Sequence, residues 1–309
     1  MLISDLRTMR YVPANLAQIS EFAPEIESIY LVTNCLPQEE LLLRLKKISI
    51  RLRLNLKIVH LSDFAALPSS FQTLNHVPSI AITKLYLGEI LPNLDFILYM
   101  DIDTLVRESL SHLLQLKLHT TIAAVEELSQ NWMDAPKDMK FEQYFNTGVM
   151  LISLKKFREK GIAKKVSKIV GDKTVSNSLQ ARFVDQDVFN FLFADDVTLL
   201  PRKYNHFSCN DRRLGMTNFF QEPAIVHFVG IEKPWDYPGK SEFTQEWVSF
   251  FKSGLGQLED SSDSKIIRSM SGFLGISKIA TPLIKSLVLF RREIAKKLPI
   301  SLKKFLRKF

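Results

Sequence analysis

Two aspartates, Asp101 and Asp103, directly follow an apolar run at residues 96–100 (FILYM). Side chains two residues apart on an extended strand point to the same side, so the two carboxylates are predicted to converge. Like charges held together repel unless protons or a cation neutralise them, and carboxylate oxygens suit a divalent ion. The pair therefore indicates a metal site, although a bare Asp-x-Asp is more often a pair of solvated turn or helix-capping aspartates.

A second group of candidate residues lies within residues 225–235 (IVHFVGIEKPW). His227 ends a short apolar strand, where a lone histidine is more often a core or surface residue than a ligand. Gly230 permits close approach of the backbone to a ligand, and Lys233 supplies a positive charge. Taken singly, Gly230 is a loop glycine and Lys233 a solvated lysine. A functional role for either depends on the residues around it.

Polar residues also begin a strand and a helix between these two groups. Asn146 and Thr147 lie at the start of an apolar strand, and the run Asp185, Gln186, Asp187 opens a helix. Acidic residues at a helix start are usually caps, favoured by unpaired backbone N–H groups and the helix dipole. Capping is the simple interpretation of Asp187.

The elements that must hold these residues alternate between strand and helix. Strand patterns cover residues 27–33, 56–61, 95–100, 120–126 and 145–153. Helical patterns cover residues 37–51, 79–90, a short stretch after Ser109, and 155–170. Such alternation is typical of a mostly parallel sheet covered by helices on both faces. Ligands of open sheets bind beyond the carboxyl ends of the strands, where the aspartate pair is predicted to lie.

Composition and charge divide the chain into a globular body and a basic tail. The 309 residues are 46% hydrophobic and 24% charged, which is an ordinary globular composition. Residues 265–309 contain twelve Lys and Arg against one acidic residue, Glu293, so they carry +11 and the preceding residues −3 of the net +8. Small and polar residues at 253–264 predict a linker, which leaves 1–252 as the main domain.

The tail, residues 265–309, is predicted to be helical and to bind an anionic membrane surface. Its apolar residues recur near helical spacing among basic ones, as in Leu283, Leu287 and Phe290. No stretch approaches the roughly 18 apolar residues that cross a bilayer, so the expected attachment is peripheral. Nucleic acid is the alternative anionic partner, but the apolar spacing favours a membrane and no nucleic acid is expected.

The N-terminus and the cysteines predict a cytoplasmic protein. The first residues lack the basic, apolar and small-residue pattern of a secretory signal. Cys35 and Cys209 are far apart and have no metal-type spacing, so reduced thiols are expected, with a disulfide as the alternative.

Four segments of the chain, taken in order, resemble the family-eight glycosyltransferases. They are residues 78–107, 145–154, 183–193 and 225–235, and the likeness extends over residues 25–250. This retaining family includes bacterial galactosyl- and glucosyltransferases of lipopolysaccharide and lipooligosaccharide. The resemblance implies an α/β fold, a single Rossmann-like domain of the GT-A type with a mixed, mostly parallel central sheet, followed here by the basic tail.

The resemblance also implies an activity and its site residues. It predicts transfer of a hexose, galactose or glucose, from a UDP-sugar donor to a saccharide or glycolipid acceptor in surface-glycan synthesis, at the cytoplasmic face of the inner membrane. Mn²⁺, with Mg²⁺ as the alternative, would be held by Asp101, Asp103 and His227. The residues implied to bind the donor and its metal are Asp5, Tyr11, Lys84, Asp101, Ile102, Asp103, Asn146, Thr147, His227, Gly230 and Lys233, and the residues implied in catalysis are Asp185 and Gln186.

The resemblance also implies where the nucleotide and the acceptor bind and how the sugar is transferred. The family normally opens with a full strand followed by an acidic and Asn-Tyr cluster that holds the base and ribose. Here the opening segment, residues 1–5, is short and Tyr11 follows only after residues 6–10, so Asp5 and Tyr11 are the nearest candidates for that role. Glu126 follows a strand where relatives often carry an acidic residue on the acceptor side. By resemblance, Gln186 lies near the anomeric carbon, and an amide is a poor nucleophile. We therefore expect a same-face substitution rather than two displacements through a carboxylate.

Two other functions are compatible with the residues themselves. A metal-dependent hydrolase or nucleotidyltransferase could also use an aspartate pair and a histidine, and a hydrolase would pass the sugar only to water. The second alternative is a non-enzymatic protein whose basic tail binds nucleic acid or a membrane.

Overall fold

The computed structural model describes residues 1–36, 39–64, 79–127, 143–171, 184–208, 223–230, 233–235 and 242–256. The predicted tail, 265–309, and the predicted linker beyond residue 256 lie outside these ranges. Among the described helices, none combines the length and the hydropathy that a membrane crossing requires.

The strands and helices alternate along most of the described chain. The strands are β1 (Leu2–Ser4), β2 (Ile29–Thr33), β3 (Leu56–His60), β4 (Phe96–Met100), β5 (Thr104–Val106), β6 (Ile122–Glu126), β7 (Phe145–Ser153), β8 (Val197–Leu199), β9 (His206–Phe207) and β10 (Ile225–His227). The α-helices are α1 (Leu6–Met9), α2 (Val12–Phe22), α3 (Glu40–Arg51), α4 (Ser79–Ile82), α5 (Leu87–Ile90), α6 (Ser111–Leu114), α7 (Leu154–Glu159), α8 (Ile162–Gly171), α9 (Val184–Phe193) and α10 (Glu242–Gly256).

Two ladders of strands meet to form the centre of the fold. In the first, β1, β2 and β3 pair in parallel. In the second, β7 pairs antiparallel with β4 and with β6, and β6 pairs in parallel with β8. Met1 joins the ladders, because its nitrogen donates to the carbonyl of Leu98 (2.8 Å) and its carbonyl accepts from the N–H of Met100 (3.1 Å). Among these described strands β7 alone runs against its neighbours, so the predicted mixed, mostly parallel sheet is confirmed.

A smaller sheet, formed by β5, β10 and β9, brings His227 beside the segment that follows β4. β10 pairs antiparallel with β5, with His227 opposite Thr104, and in parallel with β9. Beyond the end of β10, the N–H of Phe228 donates to the carbonyl of Asp103 (3.0 Å). This pairing fixes the end of β10 beside the turn that follows β4.

The core lies on both faces of β7, whose nine residues are all buried. Val149 and Leu151 face a cluster covered by α2, α3 and α10, in which Trp247 is fully buried. Met150 and Ile152 face the opposite cluster, which α5, α7 and α9 cover. A strand buried on both faces needs a nearly continuous apolar run, which explains the sequence of this segment.

Two helices that the sequence predicts as single are divided in the structure. Residues 79–90 form α4, a 3₁₀ turn at Thr83–Tyr86 and α5. The predicted helix 155–170 is split into α7 and α8 at Gly161, whose φ is +60°. Left-handed backbone ends a helix, and glycine adopts it without steric cost.

The last described helix continues into the predicted linker. α10 ends at Gly256, so the predicted boundary at residue 252 falls within a helix. A Cβ added at Gly254 would lie 2.2 Å from the carbonyl oxygen of Pro13 in α2. Glycine at this position therefore allows α10 and α2 to pack closely, and its presence does not mark a flexible connection.

Candidate active site

The aspartate pair lies beyond the carboxyl end of β4, where the sequence pattern predicts it. Asp101 follows β4 directly, and its backbone N–H donates to the carbonyl of Gly148 in β7 (2.7 Å). Ile102 turns its side chain into the core, where it is buried with the residues under α2. Asp103 follows, immediately before β5. The buried isoleucine thus anchors the turn that presents the two carboxylates.

Asp101, Asp103 and His227 form a cluster that could hold a metal ion. One ligand atom from each lies within 4.8 Å of the others. The Nε2 atom of His227 is 3.4 Å from Oδ1 of Asp103 and 3.7 Å from Oδ2 of Asp101. Two carboxylates and one imidazole nitrogen that converge in this way are a ligand set that fits Mn²⁺ or Mg²⁺. The residues present therefore suit the ion that the sequence predicts.

Lys233 brings a positive charge to the same cluster. Its Nζ donates to Oδ2 of Asp103 and to the carbonyl of Phe228 (2.9 Å). Burial would raise the pKa of Asp103, but the neighbouring Lys233 charge and His227 more than reverse this effect, so the pKa is lowered. Asp103 is therefore held as a carboxylate, the form in which it can bind a cation.

Lys84 is a buried cation that bridges two carboxylates. Its Nζ donates to Oδ2 of Asp185 (2.9 Å) and lies 3.2 Å from Oδ1 of Asp101. Burial would lower the pKa of Lys84, but the charges of Asp101 and Asp185 outweigh burial, so the pKa is raised well above its usual value. Tyr99 donates a further hydrogen bond to Asp101. Lys84 thereby links the end of β4 to the start of α9.

Replacing Lys84 by methionine is expected to destabilise the fold. The change leaves Asp101 and Asp185 without their shared cation, and breaking a buried ion pair from one side costs roughly 3–5 kcal/mol. Because both carboxylates keep partial contact with solvent, we expect a loss near the lower end of that range, measured as the free energy of unfolding in denaturant. Lys84→Arg should recover most of it, and methionine at the exposed Lys164 should change little. Equal stability of Lys84→Met and the parent chain would contradict the bridging role.

Gly148 gives the imidazole of His227 its space. A Cβ added at Gly148 would lie 2.0 Å from Cε1 of His227 and 2.6 Å from Nδ1. No side chain larger than hydrogen fits there while the ring stays in place. The ring of His227 therefore packs directly against the backbone of β7 at Gly148.

A buried polar network lies at the start of β7, around Asn146. Oε1 of Gln186 accepts from Nδ2 of Asn146 (3.2 Å) and from the N–H of Thr147 (3.2 Å). Oε2 of Glu127 accepts from Nδ2 of Asn146 (2.9 Å) and from Nε2 of Gln186 (3.4 Å). Asp185, the residue before Gln186, is tied to Lys84, so the network and the Asp101, Asp103, His227 cluster share one edge of the sheet.

Glu127, which the sequence analysis did not single out, belongs to this network, and the acceptor-side role expected for Glu126 stays a prediction. Glu126 is exposed, whereas Glu127 is buried against Asn146 and Gln186. The ladder between β6 and β7 shifts register between Ala124 and Glu126. A register shift of this kind changes which side chains of the strand face inward. The residue types in this segment do not predict it.

Three other residues were missed because no motif marks them. Asn205 accepts from or donates to His227 and contacts Asn146. Tyr99 donates to Asp101, and Tyr144 donates to Asp187, so Asp187 has a side-chain partner besides any capping role. Alternation along β4 could have placed Tyr99 on the side of Asp101.

The remaining predicted residues are Asp5, Tyr11 and Gly230. Asp5 follows β1 and caps α1, with Oδ1 accepting from the N–H groups of Arg7 and Thr8 (3.0 Å each). The ring of Tyr11 stacks on Trp235, with centroids 4.1 Å apart, and is buried. Gly230 is exposed with φ of +86°, a conformation that favours glycine.

One protein-family model matches most of the described part of the chain. The model described as "Glycosyl transferase family 8" matches residues 21–239. A lipopolysaccharide 1,2-glucosyltransferase of Escherichia coli is 28% identical over 155 residues, covering 46% of this chain and 45% of the relative. General stress protein A of Bacillus subtilis is 27% identical over 192 residues, covering 57% and 66%. The chain thus spans about half to two thirds of the length of these relatives.

Solved structures show the same fold. The galactosyltransferase LgtC, in complex with donor and acceptor sugar analogs, superposes with a TM-score of 0.67 at 24% identity, covering 82% of this chain and 94% of that one. The glycosyltransferase GlyE of Streptococcus pneumoniae gives a TM-score of 0.61 at 20% identity, covering 91% and 62%. The predicted GT-A type architecture is therefore confirmed.

Proposed function

The chain belongs to glycosyl transferase family 8, and on that premise we propose that it transfers a hexose, galactose or glucose, from a UDP-sugar to a saccharide or glycolipid acceptor with retention of configuration. One observation carries the proposal: Asp101, Asp103 and His227 converge at the carboxyl edge of the sheet with Lys84 and Lys233 beside them. The lipopolysaccharide glucosyltransferase among the relatives supports surface-glycan synthesis as the setting.

The cluster of Asp101, Asp103 and His227 is proposed to hold Mn²⁺, with Mg²⁺ as the alternative. A divalent ion bound there would neutralise charge on the diphosphate as the nucleotide departs. Lys233, already in contact with Asp103, supplies a second positive charge on the same side. A leaving group that gains negative charge is stabilised most by cations that are in place before the reaction.

The sugar is proposed to lie between the cluster and Gln186. Asp185, held by Lys84, would accept hydroxyl hydrogen bonds, while Asn146 and Thr147 orient Gln186. Oε1 of Gln186 already accepts two hydrogen bonds, which leaves it a poor nucleophile. This favours a same-face substitution, in which the acceptor hydroxyl bonds to the anomeric carbon and its proton passes to the departing phosphate. A trapped glycosyl-enzyme adduct would contradict that route.

The nucleotide base and ribose are proposed to lie near Asp5 and Tyr11. Asp5 follows the carboxyl end of β1, and the Met1 contacts hold β1 beside β4. Tyr11 stacks on Trp235, two residues after Lys233. Placement beyond neighbouring strand ends supports this part of the proposal.

A thermal-shift screen tests the donor. A ligand that binds the folded chain stabilises it by about 2.7 kcal/mol at a concentration of 100 times its Kd. We expect the melting temperature to rise with UDP-galactose or UDP-glucose in the presence of Mn²⁺, and to rise less when EDTA replaces the ion. An unchanged melting temperature with every UDP-sugar would contradict a UDP-sugar donor.

The basic tail, residues 265–309, is proposed to attach the protein to the cytoplasmic face of the inner membrane. Removing it should abolish binding to anionic vesicles while transfer to a soluble acceptor stays largely unchanged, because the excess of Lys and Arg is concentrated there. Cosedimentation with phosphatidylglycerol vesicles measures the first effect. A matched full-length variant with Leu283 and Leu287 changed to serine should bind more weakly than the parent. Undiminished vesicle binding by the truncated chain would show that the tail is not the anchor.

A further inference from the structure

A chain of buried amides joins His227 to Gln186 through Asn146 at the start of β7. Nδ1 of His227 lies 3.0 Å from Oδ1 of Asn205, and Nδ2 of Asn205 donates to Oδ1 of Asn146 (2.9 Å). Nδ2 of Asn146 in turn donates to Oε1 of Gln186 (3.2 Å). Asn205, Asn146 and His227 are each no more than 4% exposed. Water therefore competes little for these hydrogen bonds, and each donor must meet an acceptor.

The backbone of β7 fixes the direction of this chain. The N–H of Gly148, which can only donate, points at Oδ1 of Asn146 (2.9 Å). On the other side of that amide, the carboxylate of Glu127 accepts from Nδ2. Both neighbours require the same orientation of Asn146. Oδ1 of Asn146 is thus an acceptor, and the group of Asn205 that faces it must be the NH₂ group.

The orientation of Asn205 then determines which nitrogen of His227 carries a proton. With its NH₂ group turned to Asn146, Asn205 presents its carbonyl oxygen to Nδ1, so Nδ1 must donate. A reversed Asn205 would set two acceptors against each other in a buried site, at a cost of about 1–3 kcal/mol. Nε2, which faces Asp101 and Asp103, is left as the nitrogen whose lone pair can bind a metal.

We propose that Asn205 is a positioning residue that keeps the Nδ1–H form of His227 and so presents the lone pair of Nε2 to a divalent cation. The inference rests on the proposed metal site. Partners that orient a ligating histidine through its second nitrogen commonly contribute about 10- to 100-fold to metal affinity. The local fold supports the role: Asn205 ends the 3₁₀ turn Arg202–Tyr204 and precedes β9, whose pairing with β10 sets Phe207 opposite His227.

Nitrogen-15 NMR of histidine-labelled protein tests the assignment directly. The chain has 6 histidines, and the His227→Gln variant identifies the signal of interest. In the parent chain, recorded above the pH at which the ring loses its charge, we expect the proton on Nδ1. Addition of Cd²⁺, a diamagnetic probe, should shift the Nε2 signal and leave Nδ1–H in place. A neutral ring with its proton on Nε2 would overturn the proposal.

Variants at Asn205 separate positioning from general packing. Asn205→Ala should populate both forms of the neutral ring and weaken binding of Mn²⁺, followed by calorimetry, by about 10- to 100-fold. Asn205→Asp keeps an acceptor for Nδ1–H, so it should keep the Nδ1–H form. The control is Asn190→Ala, which removes a buried amide bound to Phe145 and should lower stability without changing the form of His227.

The outcomes distinguish the two levels of the proposal. If Cd²⁺ leaves the His227 signal of the parent chain unchanged, the metal site itself is wrong and Asn205 has no ligand to position. If Cd²⁺ binds through Nε2 but Asn205→Ala retains both the Nδ1–H form and the parent affinity for Mn²⁺, the metal site stands and the role of Asn205 is refuted. Should Asn205→Ala fail to fold, a change to the Nε2–H form in Asn205→Asp would also refute it.

Discussion

Replacing Asp103 by alanine is expected to abolish metal-dependent sugar transfer while the chain remains folded. Asp103 faces both His227 and Lys233, so the change removes one proposed ligand and leaves the lysine without its carboxylate partner. Metal chemistry supplies several kcal/mol of transition-state stabilisation, so we expect a loss on the order of 10³-fold or more in kcat. Lys233 is partly exposed and can turn to solvent, which limits the effect on stability. Initial rates with and without Mn²⁺, together with circular dichroism, measure both effects.

Controls for Asp103→Ala come from the same chain. Asp103→Asn keeps the shape of the side chain and removes its charge, and it should lose activity as well. Alanine at Asp95, an exposed aspartate just before β4, should leave the rate near that of the parent. Undiminished metal-dependent turnover in a folded Asp103→Ala variant would remove Asp103 from the site.

Replacing Gly148 by alanine is expected to displace His227 although neither residue changes its charge. The added Cβ would lie 2.0 Å from Cε1 of the ring, a distance that atoms do not tolerate, so ring or strand must move. Overpacking of this kind costs roughly 1–3 kcal/mol in stability. Movement of the ring would also turn Nε2 away from the carboxylates, so we expect affinity for Mn²⁺ to fall by at least about 10-fold. Calorimetric titration and denaturant unfolding measure the two losses separately.

The neighbouring position provides the control for Gly148→Ala. Val149 lies on the same strand, and its side chain packs in the core cluster with Trp247. Val149→Ala should lower stability through a cavity without changing the affinity for Mn²⁺. If Gly148→Ala binds Mn²⁺ as tightly as Val149→Ala does, the close fit between β7 and His227 has no bearing on metal binding.

The strands that have a clear local hydrophobic pattern could be predicted from the sequence. The apolar run that ends in Asp101 and Asp103 identifies β4 and the edge of the sheet where the pair lies. The run of β7 identifies a strand buried on both faces. Both predictions depend on periodicity and hydrophobicity, which a single chain displays directly.

The parts that depend on contacts distant in sequence could not be predicted. Asn205 contacts His227 only because β9 pairs with β10, and nothing in its own segment indicates a ligand-orienting role. Glu127 contacts Asn146 and Gln186 next to a register shift between β6 and β7, which the sequence of β6 alone does not indicate. Gly254 resembles a linker residue until its packing against Pro13 is known. In each case the partner residue, and not the local sequence, determines the structure.

The most direct test of the central claim follows the sugar itself. UDP-galactose or UDP-glucose, labelled in the sugar, is incubated with the full chain, Mn²⁺ and a lipooligosaccharide-core acceptor, and the products are separated and their anomeric configuration read by NMR. We predict an acceptor-linked hexose with the configuration of the donor, formed with Mn²⁺ and lost on addition of EDTA or in the Asp103→Ala variant. Sugar released only to water, or transfer that is unchanged by EDTA, would contradict metal-dependent glycosyl transfer at Asp101, Asp103 and His227.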